Sequence, residues 1–193
     1  MVQVKPRFHS FEDYLAYDDG TENLYELFNG ELITVPPESG TNTAIAVFLL
    51  VQFVALVDYR RVRPHGLELE VRGEPKNRYP DLTIIRESQI RLLTQRNTIR
   101  LAMGPPVLVV EVVSPGDLQR DRDYIAKRQQ YEAIGVPEYW IVDPQKRTVL
   151  ILELSKSSHT TNTFADGDDV RSPQFPDLVI PVADLLGANA TQG

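Results

Sequence analysis

The chain has 193 residues, a net charge of −7, a sequence pI near 5.0 and no cysteine. The length suits one domain with a real core. The missing cysteines exclude disulfides, thiolate zinc sites and cysteine nucleophiles, and they fit a cytoplasmic setting. The acidic balance argues against broad electrostatic adhesion to nucleic acid but leaves room for a local basic strip. No apolar run approaches the roughly 20 residues a membrane helix needs, and Met1-Val2-Gln3-Val4-Lys5-Pro6 lacks the apolar core of a signal peptide.

Ser10-Phe11-Glu12-Asp13 predicts a capped helix start running to about Tyr17. Two strand-like runs, 24–28 and 31–35, flank Asn29-Gly30, a strong hairpin signal because both residues tolerate positive φ. Ile45, Phe48, Leu49, Gln52, Phe53 and Leu56 recur at helical spacing and predict a helix over 41–59. It is apolar on most of its circumference, so it is expected to be largely buried. Strands are predicted over 67–71 and 79–85, and 87–101 reads as helix plus loop.

The β-branched run 107–113 has the character of a strand buried on both faces. A helix over 118–134, stopped by Gly135 in a left-handed cap, connects it to a strand over 138–143. Strand, helix and strand then form a right-handed crossover with two parallel strands. Asp143-Pro144 opens a turn, and 148–154 pairs back antiparallel. Beyond it, 155–169 reads as a polar loop or hairpin, 175–181 as a last short strand and 182–186 as a helical turn. Residues 1–187 read as a single α/β domain, a mixed central sheet flanked by helices, with a disordered tail over 188–193.

Three residues stand out chemically. Asp81 opens the apolar run Leu82-Thr83-Ile84-Ile85, and Glu111 interrupts Val107-Leu108-Val109-Val110 and Val112-Val113. A carboxylate inside an apolar strand is costly unless it is paired or holds a metal. Residues at period two share a strand face, so if the two strands are neighbours the carboxylates can meet. Together with waters they would suit Mg2+, with Mn2+ as an alternative. Lys127 lies in a stripe with Tyr124, Tyr131 and Ile134 on the crossover helix. Held near the sheet, its ammonium can stabilise charge on a phosphate, or serve as a base if desolvation leaves it neutral.

The order Pro80-Asp81, Glu111-Val112-Val113-Ser114-Pro115, Lys127, then Gly135-Val136-Pro137-Glu138-Tyr139-Trp140-Ile141-Val142-Asp143-Pro144 resembles the putative restriction endonuclease family. This is a branch of the PD-(D/E)XK nuclease superfamily. Tyr25-Glu26-Leu27-Phe28-Asn29-Gly30-Glu31-Leu32 is similar to that family's opening hairpin. The resemblance implies a restriction-endonuclease-like core and Asp81 and Glu111 as metal ligands. It implies Lys127 as the catalytic lysine, relocated from the position of Val113, and Glu26 as a further acidic member. It also implies a DNA substrate cut by metal-activated water, and a possible homodimer, since double-strand cleavage needs two sites. Where the family has a histidine at the start of the long helix, this chain reads Thr41-Asn42-Thr43.

Blander readings stand beside these. Asp81 can cap a strand, Glu111 can pair with an arginine, Lys127 can snorkel to the surface, and Glu26 can face solvent on its hairpin. Arg60, Arg61 and Arg63, and the looser set Arg86, Arg91, Arg96 and Arg100, read first as solvated surface. His9, His65 and His159 show no ligand spacing, and Ser114 lacks the glycines of a nucleophile elbow. The rival function is a catalytically degenerate protein of the same fold that binds nucleic acid or a protein partner.

Overall fold

A hairpin, a long helix and a six-stranded sheet set up the molecule. The computed structural model describes residues 6–116, 122–154 and 159–188. Helix α1 (Phe11–Leu15) begins at Ser10, whose hydroxyl accepts from the Asp13 amide while the Asp13 carboxylate accepts from the Ser10 amide. Strands β1 (Tyr25–Phe28) and β2 (Glu31–Thr34) pair antiparallel through the two-residue loop Asn29-Gly30. Both loop residues have positive φ, as the hairpin reading expects. A side chain at Gly30 would also strike the Phe8 carbonyl.

Helix α2 (Gly40–Val54) follows, capped by Ser39 and shorter than expected. It buries Ile45, Leu49 and Phe53 against the sheet. Its outer face does not follow the sequence expectation of a largely buried helix: Val47 and Val51 are 52% and 54% exposed. One sheet face can cover only one side of a helix, and no second layer of the described residues closes over the other.

The main sheet orders its strands β11-β10-β9-β8-β6-β3. These are β3 (Val62–Pro64), β6 (Leu82–Ile84), β8 (Leu108–Val112), β9 (Glu138–Asp143), β10 (Thr148–Leu154) and β11 (His159–Ala165). Only β8 and β9 are parallel; the other neighbours are antiparallel. The expected crossover is therefore present, and β10 returns beside β9 as read. The strand expected over 79–85 is confined to 82–84 (β6), and a separate strand precedes it. Asn77–Arg78 (β5) joins Glu68–Glu70 (β4) and Thr98–Ile99 (β7) in a separate small sheet, while β6 enters the main one. Pro80, which has no amide to donate to a ladder, lies at the break. The ambiguous stretch 87–101 resolves into 3₁₀ turns around β7.

The crossover helix is irregular. Residues 117–121 lie outside the described residues. Arg122–Lys127 forms π-helical turns, and only Arg128–Ile134 (α3) is α-helical, ending on Gly135 at φ +81°. A short β12 (Asp169–Arg171) pairs with β13 (Val179–Pro181), and α4 (Val182–Leu186) closes the chain. The expected tail falls almost wholly outside the described residues, which end at 188.

The sheet divides two apolar cores. Leu82, Ile84, Val110, Trp140 and Val142 face α2 and α4. Ile85, Val109, Val113, Tyr139 and Ile141 face Tyr131 of α3 and the small sheet. Tyr139 and Trp140, adjacent in sequence, thus pack on opposite faces, as strand alternation requires.

Candidate active site

Strand register brings the site together. In the β6–β8 pair Leu82 stands opposite Val110, so one step outward Asp81 faces Glu111. In the β3–β6 pair Pro64 stands opposite Leu82, so the next step sets His65 against Asp81. Directly opposed residues share a sheet face. His65, Asp81 and Glu111 therefore form a line across three strands, with Arg63, Thr83 and Val109 as the adjacent row. This is the face of Tyr139 and Ile141, and the crossover helix packs over it.

Asp81 is only 5% exposed, and its Oδ2 accepts from the Val112 amide at 2.6 Å. Burial holds its carboxyl well above the usual range, and the nearby Glu111 and Glu38 carboxylates add to the effect. Glu111 is 2% exposed. Its Oε2 accepts from Lys127 Nζ at 2.6 Å and its Oε1 from the Tyr131 hydroxyl. Burial raises this carboxyl too, against the opposing pull of Lys127.

Lys127 ends the π-helical turns and meets Glu111 on the sheet beneath the crossover helix. Its Nζ also lies 2.8 Å from Asp123 Oδ1, one turn earlier. Burial by itself would lower the lysine's pKa, but the Glu111 and Asp123 carboxylates outweigh it and hold the pKa above the ordinary value. A protonated ammonium is thus favoured over the neutral base that the sequence left open. Val113, the position from which the sequence reading moved the lysine, is a buried core residue; the Lys127 ammonium reaches Glu111 from the crossover helix.

Glu26 is placed differently. Both of its oxygens accept from Arg78 Nη1 at 3.1 Å, and Arg78 Nε donates to Gln130 of α3. Glu26 is thus held in a partly buried ion pair, not in the Asp81–Glu111 line. Its charge still acts, together with those of Asp123, Glu111 and Glu38, on the half-buried Arg122 guanidinium.

Several site residues escaped the sequence reading. Asp123 lies four residues before Lys127, a spacing that pairs charges on a helix, so a local signal existed. Glu38 and His65 gave none. A carboxylate oxygen of Glu38, a ring nitrogen of His65 and a carboxylate oxygen of Asp81 all lie within 4.8 Å of one another. The chain shows no ligand spacing around His65 because Glu38 and Asp81 lie in other segments of the sequence. Asn42 donates through Nδ2 to Glu38 Oε2 at 3.2 Å, Val112 O at 3.1 Å and Ser114 Oγ at 3.0 Å. It ties the start of α2 to the end of β8.

The basic clusters also separate. Arg60 pairs with Asp58 at the surface, and Arg61 Nε donates to the Ile85 carbonyl. Arg63 lies half-buried in the row beside the carboxylates, and its Nε has no hydrogen-bond partner. In the looser set, Arg96 and Arg100 pair with Glu68 and Glu70, and Arg86 donates to the Pro105 carbonyl.

The residues present fit a divalent cation. Asp81 is a buried carboxylate with no arginine or lysine paired to it among the described residues, and only its Oδ2 accepts a hydrogen bond. A desolvated, unneutralised carboxylate opposite a second one is the electrostatic complement of such an ion.

Residues 11–183 match the Uma2 family, described as putative restriction endonucleases. The chain belongs to this family. A solved structure with the same fold is titled a putative nuclease belonging to DUF820 from Anabaena variabilis ATCC 29413. The two chains are 21% identical with a TM-score of 0.69, over 93% of this chain and 98% of that one. No curated protein matches the chain. In this Uma2 member Asp81 and Glu111 are brought together by the antiparallel pairing of β6 with β8, and Lys127 reaches Glu111 from the crossover helix. Among the described residues, no helix is long and apolar enough to cross a membrane.

Proposed function

We propose that this protein is a divalent-metal-dependent endonuclease that hydrolyses phosphodiester bonds of DNA in the cytoplasm, as a homodimer when both strands are cut. The observation that carries this reading is the direct opposition of Asp81 and Glu111 on one sheet face, with Lys127 Nζ 2.6 Å from Glu111.

Asp81 and Glu111 would hold Mg2+ or Mn2+. A bound ion of this kind polarises a phosphate oxygen and lowers the pKa of a coordinated water. Lys127, kept charged by Glu111 and Asp123, stabilises negative charge developing on the phosphate. Tyr131 fixes Glu111 through its hydroxyl, and the Glu26–Arg78–Gln130 chain ties the hairpin to the same helix. Arg63, in the row beside the carboxylates, and Arg122, close enough to feel the charge of Glu111, supply positive charge that an otherwise acidic protein needs to receive a polyanion.

The test is plasmid cleavage in Mg2+ or Mn2+. Wild type cleaves, and Asp81→Asn, Glu111→Gln and Lys127→Ala each lose about 100-fold or more. Full activity in all three variants overturns the assignment. One observation favours the rival, a non-catalytic binder on the same fold: both oxygens of Glu111 already hold bonds within the protein. Calorimetry that gives no heat with either ion, together with an unchanged melting temperature, selects that reading.

A further inference from the structure

We infer that Glu38, His65 and Asp81 form a mixed nitrogen–oxygen metal site that prefers a transition ion of the Mn2+ or Zn2+ class to Mg2+. The inference deepens the nuclease reading by naming the ligands on the far side of Asp81, and it rests on that reading only for the purpose of the ion.

The geometry comes from three separate parts of the fold. The β3–β6 register, which ends at Pro64 opposite Leu82, brings His65 and Asp81 side by side one step beyond it. Glu38 arrives from the turn before α2, where the Asn42 amide holds one of its oxygens. The Val112 amide holds one oxygen of Asp81, leaving the other open. All three ligand atoms lie within 4.8 Å of one another. Two ligands about 2.1 Å from a common ion lie at most about 4.2 Å apart, so a small closing motion of the side chains completes the site.

Two further observations point to a cation. Asp81 is almost fully buried and has no cationic partner among the described residues, because the Lys127 ammonium is engaged by Glu111 and Asp123. His65 Nδ1 is buried with no hydrogen-bond partner, although the ring is packed against Tyr79 with centroids 6.4 Å apart. The imidazole thus has a ring nitrogen with no partner, and a metal ion held between the ring and the Asp81 carboxylate would compensate that buried charge.

The ligand set decides the ion. Mg2+ prefers oxygen ligands in near-ideal octahedral geometry and gives up water reluctantly. Imidazole suits transition ions, and affinity at mixed nitrogen–oxygen sites rises along the first row. Glu111, tied to Lys127 and Tyr131, then stands next to this ion without being its principal anchor.

The experiment uses the full-length protein and the metals alone. Metal-free protein is titrated with Mn2+, Zn2+ and Mg2+ by calorimetry, and the Mn2+ complex is examined by pulsed electron paramagnetic resonance for coupling to a ¹⁴N nucleus. The expected result is tighter binding of Mn2+ and Zn2+ than of Mg2+, with imidazole nitrogen coupled to Mn2+. His65→Ala should abolish that coupling and weaken Mn2+ by about 10- to 100-fold or more, at least the loss seen when outer-shell partners of a metal are removed. Glu38→Gln, at a less enclosed position, should weaken Mn2+ while keeping the nitrogen coupling.

Mn2+ bound to wild type without nitrogen coupling, unchanged affinity in His65→Ala, or no binding by wild type overturns the site. The wild-type spectrum needs no variant to fold. Nitrogen-coupled Mn2+ without DNA cleavage would leave the site standing and refute the nuclease. Mg2+-supported cleavage with His65→Ala binding metal as wild type does would do the reverse.

Discussion

Two buried carboxylates on β8 and β9 make an instructive contrast. Glu111 and Glu138 both sit inside central strands, and both have their pKa raised, first of all by burial. They point to opposite faces of the sheet. Glu138 is surrounded by neutral donors: its Oε1 accepts from Trp140 Nε1 and from Ser172 Oγ at 2.8 Å, and its Oε2 accepts from the Gln174 amide at 2.8 Å. It anchors the segment before β13 to the sheet; Glu153 stands opposite it on β10, yet both oxygens of Glu138 are satisfied by these neutral donors. Glu111 instead faces Asp81, depends on a buried ammonium, and shares that ammonium with Asp123. Burial of a carboxylate therefore does not identify a site. Clustered like charges with too few partners do.

The largest expected effect tests the charged region. Lys127→Met leaves Glu111 and Asp123 buried without their counter-ion and should cost about 3–5 kcal/mol of stability, read from urea unfolding. Adding Glu111→Gln to that variant should restore part of the loss, because one of the stranded charges is then removed. A Lys127→Met protein as stable as wild type would mean that solvent reaches these carboxylates and would dissolve the contrast.

Glu138→Gln tests the neutral region. Its amide group must turn its NH₂ toward a donor, either the Gln174 amide or the Trp140 and Ser172 pair, and should cost about 1–3 kcal/mol. Because this residue lies on the face away from Asp81, DNA cleavage by the remaining folded protein should stay at the wild-type level.

The smallest effect has the opposite sign. The Asp81 carboxyl ionises near 3.8 in the unfolded chain and well above that when folded. Between those two values the folded state binds more protons, so metal-free stability should fall as pH rises through that window. Asp81→Asn keeps an acceptor for the Val112 amide and removes the charge. It should raise the melting temperature of the chelator-treated protein at neutral pH and flatten this part of the pH profile, while abolishing cleavage. Glu111 and Glu138 contribute with the same sign, so some slope remains. A lower melting temperature for Asp81→Asn at neutral pH would show that the carboxylate is stabilised by a partner not considered above.

Much of this was legible in the chain itself, for local reasons. Asn29-Gly30 determined a hairpin because both residues accept positive φ. Gly135 ended the crossover helix for the same reason. The alternation in 107–113 set Glu111 on the face of Val109 and Val113 whatever strand came to lie beside it. The Lys127 and Tyr131 stripe has a helical period, and both side chains reach Glu111.

What only the tertiary structure decided was every relation between segments far apart in sequence. Period two told which residues share a face, but only the antiparallel register of β6 with β8 and β3 set His65, Asp81 and Glu111 in one row. The break at Pro80 gave 77–78 and 82–84 to different sheets, which no propensity of those residues distinguishes. The exposed flank of α2 depended on there being one layer to pack against, not two. Glu26 was visible in the sequence, yet its pairing with Arg78 came from a neighbouring strand 52 residues away. Asp81 was conspicuous from the start because an apolar strand tolerates a lone carboxylate poorly. Only the folded chain could bring Glu38 and His65 within 4.8 Å of it, since a metal site closes in space and not along the chain.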